Sequence, residues 1–109
     1  MDHTTLDPIW DAVDRLHTWL NDNNTTRPRE EELLLRVLKL SEEVGEAARA
    51  VVGATGQNPR KGVTHRWEDV ESELSDVIIT AMVALRTLTP NAAAVLEGRV
   101  GAVAARSLG

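Results

Sequence analysis

Residues 33–51 read LLLRVLKLSEEVGEAARAV, and this stretch decides the fold. Leu33, Val37, Leu40, Val44, Ala47 and Val51 recur at spacings of three and four, the period of an α-helix. Leu34, Leu35 and Leu38 widen the apolar face so far that the helix needs cover on more than one side. Pro28 opens this helix, which is expected to run to about Gly53. Residues 53–65, GATGQNPRKGVTH, hold three Gly, one Pro and one Asn and read as a loop. A loop of this length is long for a helical hairpin and is more often functional.

The same pattern extends in both directions. Downstream, Val70, Leu74, Val77, Ala81, Leu85 and Leu88 predict a helix from about Arg66 to Leu88. Thr89-Pro90 then looks like a cap followed by proline, opening an Ala-rich helix that ends near Ser107. Upstream, Asp7-Pro8 gives the same signal before Ile9, Val13, Leu16 and Leu20, and residues 21–26 form a polar connection. The expected fold is all-α: a four-helix, bundle-type domain spanning residues 1–109, with homodimerisation supplying the missing cover.

Composition narrows the function. Cysteine is absent, which excludes a disulfide framework, a thiolate nucleophile and Cys-ligated zinc or iron–sulfur sites. Phe and Tyr are absent too, and Trp10, Trp19 and Trp67 are the only aromatic residues, too few for a stacking platform. The formal charge of −5 repels nucleic acid backbones. No stretch approaches the ~20 apolar residues of a membrane span, and MDHTTLDPIW has no basic and apolar leader. A cytoplasmic protein binding neither nucleic acid nor membrane is expected.

Two acidic pairs carry the chemistry. Glu43 and Glu46 stand three residues apart on the second helix, Glu73 and Asp76 on the third. At ~100° per residue each pair shares one face, where like charges repel unless a cation relieves them. From their apolar stripes, Glu43 and Glu46 are offset by ~80° and ~140°, and Glu73 and Asp76 by ~90° and ~150°, in one rotational sense. In an antiparallel hairpin with facing stripes, the four carboxylates would line one groove. A single pair would read as a solvated face; two with matched offsets favour a site. Oxygen donors without His or Cys suit Mg²⁺, with Mn²⁺ the variant, and the Glu-x-x-His motif of a di-iron bundle does not occur.

Removing those four charges takes the chain from −5 to −1, so most of its acidity belongs to the candidate site. Mg²⁺ held by carboxylates takes substrate phosphates as further ligands. Arg60, Lys61 and Arg66 are cations suited to phosphate oxygens, against the plainer alternative of a solvated loop. Lys39, four residues before Glu43, fits either an i,i+4 ion pair or a phosphate contact. Trp67 falls on the apolar stripe and is expected to pack in the core, with base stacking the alternative. Gly45 inside a helix suggests a close helix approach.

Glu43-x-x-Glu46 with Glu73-x-x-Asp76, set in KLSEEVGE (39–46) and ELSDVII (73–79), resembles the MazG-type all-α nucleotide pyrophosphohydrolases over about residues 28–88. The resemblance implies a helical bundle completed as a homodimer or homotetramer. It also implies Mg²⁺-dependent hydrolysis of a nucleoside triphosphate to the monophosphate and pyrophosphate, in nucleotide-pool house-cleaning. Glu43, Glu46, Glu73 and Asp76 would be the metal ligands, and Glu43 or Glu46 would also serve the attacking water. Lys39, Arg60 and Lys61 would bind phosphate. Trp67 and His17, on the first helix, would contact the base, and Glu42 would be an outer carboxylate or a surface residue. The chain departs from many members in carrying Thr80 in place of Tyr, and only Arg99 and Arg106 as cations on its last helix. Those departures define the alternative, a non-catalytic helical interaction module that keeps the fold.

Overall fold

The computed structural model describes residues 7–109, and every regular element among them is an α-helix. These are α1 (Asp7–Asn23), α2 (Arg29–Thr55), α3 (Trp67–Leu88) and α4 (Ala92–Leu108). Among the described residues no single helix is long and apolar enough to cross a membrane. The expected all-α class and four helices are present.

The helix ends follow local chemistry. Pro28 stands at the N-cap of α2 with φ −57°, and its carbonyl accepts the first bond, from Glu32 N–H at 3.1 Å. Glu30, Glu31 and Glu32 in the first turn complement the positive end of the helix dipole. At the other end α2 passes through Gly53 to Thr55, two residues beyond the expected stop. It closes on Gly56 at φ 65°, a left-handed conformation that a Cβ would strain, whose N–H bonds back to Val52 O. Before α4, Thr89-Pro90 does not start the helix as the sequence suggests. Thr89 Oγ1 instead accepts the N–H of Asn91 at 3.1 Å, and Asn91 becomes the N-cap.

The chain divides into two compact units. One comprises α1, α4 and α3 from Met82 onward. Its core is Trp10, Val13, Met82, Val83 and Ala92, with Leu20, Leu85 and Leu96 packed against it. Arg86 Nε donates to Asp14 Oδ1 at 2.7 Å, an ion pair between α3 and α1.

The other unit is Arg27–Ala81, and it departs from the sequence reading in one respect. The residues of α2 that are buried are Glu32, Arg36, Ala47, Ala50 and Gly53, whereas Val37, Val44 and Val51 of the expected core stripe are exposed. The covered line is rotated by roughly 90° from the apolar stripe. Glu32 stays buried because its carboxylate is fully used: Arg36 donates through Nε at 2.9 Å and Nη2 at 2.8 Å, and Arg27 through Nη1 at 3.0 Å. Gly45 makes no close approach, since a Cβ there would meet nothing within 4 Å.

Gly53 is the position where a small residue is required. Its carbonyl accepts both Thr64 N–H (3.0 Å) and His65 N–H (3.4 Å), pulling the returning loop onto α2. A Cβ at Gly53 would sit against the side chains of Thr64 and His65, closer than van der Waals contact allows. Gly53→Ala is therefore expected to lower stability by about 1–3 kcal/mol, as overpacking does. Denaturant unfolding measures it; a stability equal to the parent would show that the loop is not seated there.

Candidate metal centre

Three of the four carboxylates named from the sequence converge. Glu43 on α2 and Glu73 and Asp76 on α3 each offer an oxygen, and these oxygens lie within 4.8 Å of one another. The convergence follows from spacing: Glu73 and Asp76 share a face of α3, and Glu43 lies on the covered line of α2, its side chain only 12% exposed. That is deeper than the flank position expected, for the same reason that the apolar stripe is exposed. Glu46 is half-buried and lies outside the mutual triad, but it bears on Glu73 by charge and by a hydrogen bond.

Glu73 is the strained member. Its Oε2 is buried and has no hydrogen-bond partner among the described residues. Burial pushes its carboxyl above the ordinary range first. The charges of Glu46 and Asp76, the hydrogen bond with Glu46 (which needs a proton) and the charge of Glu43 all act in the same direction. A divalent cation would relieve each of these effects at once. An unpartnered buried oxygen beside three further carboxylates, with no nitrogen or sulfur donor, fits a hard ion such as Mg²⁺ or Mn²⁺.

The raised value has a consequence for the metal-free protein. Folding raises the pKa, so the folded state holds the proton more tightly than the unfolded chain does. The stabilisation is full below the ordinary carboxylate range and is lost as pH rises through the raised value. With chelator present, the melting temperature should fall across that window, and Glu73→Gln should flatten the fall. An unaltered pH profile in the variant would contradict this.

The other residues named from the sequence are distributed differently. Lys39 Nζ contacts Glu42 Oε2 at 3.1 Å and Glu43 Oε1 at 3.7 Å, so its first partner is Glu42, and it bridges to the triad through Glu43. Its pKa is raised: the hydrogen bond to Glu42 contributes most, desolvation opposes it, and the charges of Glu42, Glu43 and Glu46 add to it. Arg60 and Lys61 are exposed on the loop after α2, where Lys61 lines a cavity with Arg49 and His65. Trp67 is not a core residue as the stripe suggests. It begins α3 at the loop and is 57% exposed, with exposed Val63 preceding it. Thr80 is half-buried. His17 is half-buried in α1, in the other unit.

Sequence reasoning missed the Glu32–Arg36–Arg27 network, although the i,i+4 spacing of Glu32 and Arg36 was visible. It also missed Arg49, whose place beside Lys61 depends on the path of the loop. No family model, curated protein or solved structure matches this chain.

Proposed function

We propose that this chain is a MazG-type, Mg²⁺-dependent nucleoside triphosphate pyrophosphohydrolase. The observation that carries the reading is the convergence of carboxylate oxygens of Glu43, Glu73 and Asp76 within 4.8 Å, together with the buried, unpartnered Oε2 of Glu73. Glu43, Glu46, Glu73 and Asp76 are the ligand set. Mg²⁺, when bound, neutralises charge on the phosphate oxygens and the leaving pyrophosphate.

The protein's own residues do the rest. Asp76, the exposed member of the triad, presents its carboxylate on the solvent side, where a phosphate chain arrives. One carboxylate of the ligand set, Glu43 or Glu46, would also orient the attacking water and take its proton. Lys39 stands at the edge of the cluster, able to exchange its contact with Glu42 for a phosphate oxygen. Arg60 extends from the loop as a second cation.

A homodimer or larger assembly belongs to the same reading. Leu34, Leu38, Val44, Leu74 and Ile78 are each more than half exposed, all within one two-helix unit. A second copy would bury this surface. A monomer by light scattering at micromolar concentration would remove that part of the reading.

The decisive experiment is a panel of standard and modified nucleoside triphosphates with Mg²⁺, followed by pyrophosphate release. Turnover of any member, lost on chelation, is the expected result. No turnover across the panel favours the non-catalytic module, which Thr80 and the sparsely charged α4 also favour.

A further inference from the structure

Within the Arg27–Ala81 unit, a second concave site lies where the loop after α2 folds back onto the helix. It encloses about 270 Å³. Its apolar wall comes from Val52, Ala48 and the bare backbone of Gly53, and its polar lining includes Arg49, Lys61 and His65. Neither Arg49 nor Lys61 has an acidic partner among the described residues, and no carboxylate lines the cavity. In a chain of charge −5, two cations and an imidazole line one cavity that no carboxylate lines.

The site is preformed. Thr64 and His65 N–H groups are bonded to Gly53 O, Lys61 and Gly62 N–H groups to Asn58 O (3.1 and 2.9 Å), and Arg60 N–H to Asn58 Oδ1 at 3.0 Å. His65 Nδ1 is paired with Thr64 Oγ1 at 2.9 Å, which orients the ring. Of the carbonyls at the C-terminal end of α2, the two whose residues line the cavity accept bonds: Val52 O from Gly56 and Gln57, and Gly53 O from the returning loop. The loop backbone would need little further ordering to take a ligand.

We infer that this cavity binds a small molecule carrying a phosphate or carboxylate on a compact apolar body, with Arg49 and Lys61 holding the oxyanion and Val52 flanking the body. The volume sets the size: at about 270 Å³ the cavity lies just under the range of about 300 to 1,000 Å³ usual for ligand pockets, which limits the ligand to a small molecule. The cavity shares no lining residue with the carboxylate triad, and its test needs no metal.

Amide resonances of Gly62, Thr64 and His65 in the full chain, kept in chelator, would be followed during titration. The probes are phenyl phosphate, benzoate, inorganic phosphate and phenol. Saturable shifts with phenyl phosphate or benzoate are expected. Affinity should fall about tenfold or more in Arg49→Gln/Lys61→Gln, the cost of losing charge-assisted hydrogen bonds. Both side chains are exposed, so the variant should keep its melting temperature. Glu73→Gln should bind as the parent does, which separates this site from the proposed metal centre. Shifts with inorganic phosphate as well as phenyl phosphate support a phosphate ligand, and shifts with benzoate a carboxylate. Three results overturn the inference: no saturation by about 20 mM, unchanged affinity in the double variant, or phenol binding as tightly as phenyl phosphate.

Discussion

Glu73→Gln is expected to abolish metal-dependent pyrophosphate release, by about a thousandfold, while the metal-free protein melts at the same temperature or slightly higher. The magnitude follows from what a bound cation supplies at a phosphoryl centre, several kcal/mol of charge stabilisation, each 1.36 kcal/mol being about tenfold in rate. The sign of the stability change follows from Glu73 itself. Its carboxylate is held among Glu46, Asp76 and Glu43 with one oxygen unpartnered, and an amide removes that repulsion. The parent should be stabilised by Mg²⁺ in proportion to the logarithm of its concentration, about 2.7 kcal/mol at a hundred times the dissociation constant. The variant should lose this response. A variant that unfolds without metal, or that still responds fully to Mg²⁺, would show that Glu73 is a structural residue.

The second large effect lies in the buried ion network. Glu32→Gln should cost about 3 kcal/mol of folding free energy, because Arg36 remains buried with its main acceptor neutralised. Replacing the pair together, as Glu32→Leu/Arg36→Leu, should recover most of that loss, since two desolvated charges then leave at once. Acid should act as the single substitution does. Burial alone would raise the Glu32 pKa, but the hydrogen bonds and charges of Arg36 and Arg27 outweigh it and hold the carboxyl below its ordinary value. Its contribution is present above the ordinary carboxylate range and is lost as pH falls through the depressed value. Urea unfolding of parent and variants between neutral and acid pH measures both effects. Equal sensitivity to acid in parent and Glu32→Gln would show that other groups set the acid limit.

The helices were legible because their period and punctuation are local. Pro8, Pro28 and the glycine-rich loop mark ends within a residue or three of those observed. The carboxylate triad was legible for the same reason, since i,i+3 spacing places side chains on one face wherever the helix goes. The buried side of α2 was not. Apolar spacing locates a stripe, but the covered line includes Glu32, Arg36 and Glu43, whose burial depends on partners and neighbours that no window along the chain contains. Trp67 was misplaced by extending a stripe to the first residue of its helix, where the chain is only beginning to be covered. Arg49 escaped notice because its neighbour Lys61 is brought to it by the hydrogen bonds of Gly53, a matter of loop path rather than helical phase.

The three indoles divide the chain optically. With tyrosine and phenylalanine absent, near-ultraviolet absorption and emission come from Trp10, Trp19 and Trp67 alone. Trp10 is buried with Val13, Met82 and Ala92, so its emission should shift to the red only when that core opens. Trp67 is the sole indole within residues 27–81 and already faces solvent beside the loop, where it answers to quenchers rather than to unfolding. Trp19, 60% exposed in the unit that holds Trp10, answers to quenchers as well, so emission wavelength follows the Trp10 core, and in a Trp19→Leu variant quencher access would follow Trp67 and its unit alone.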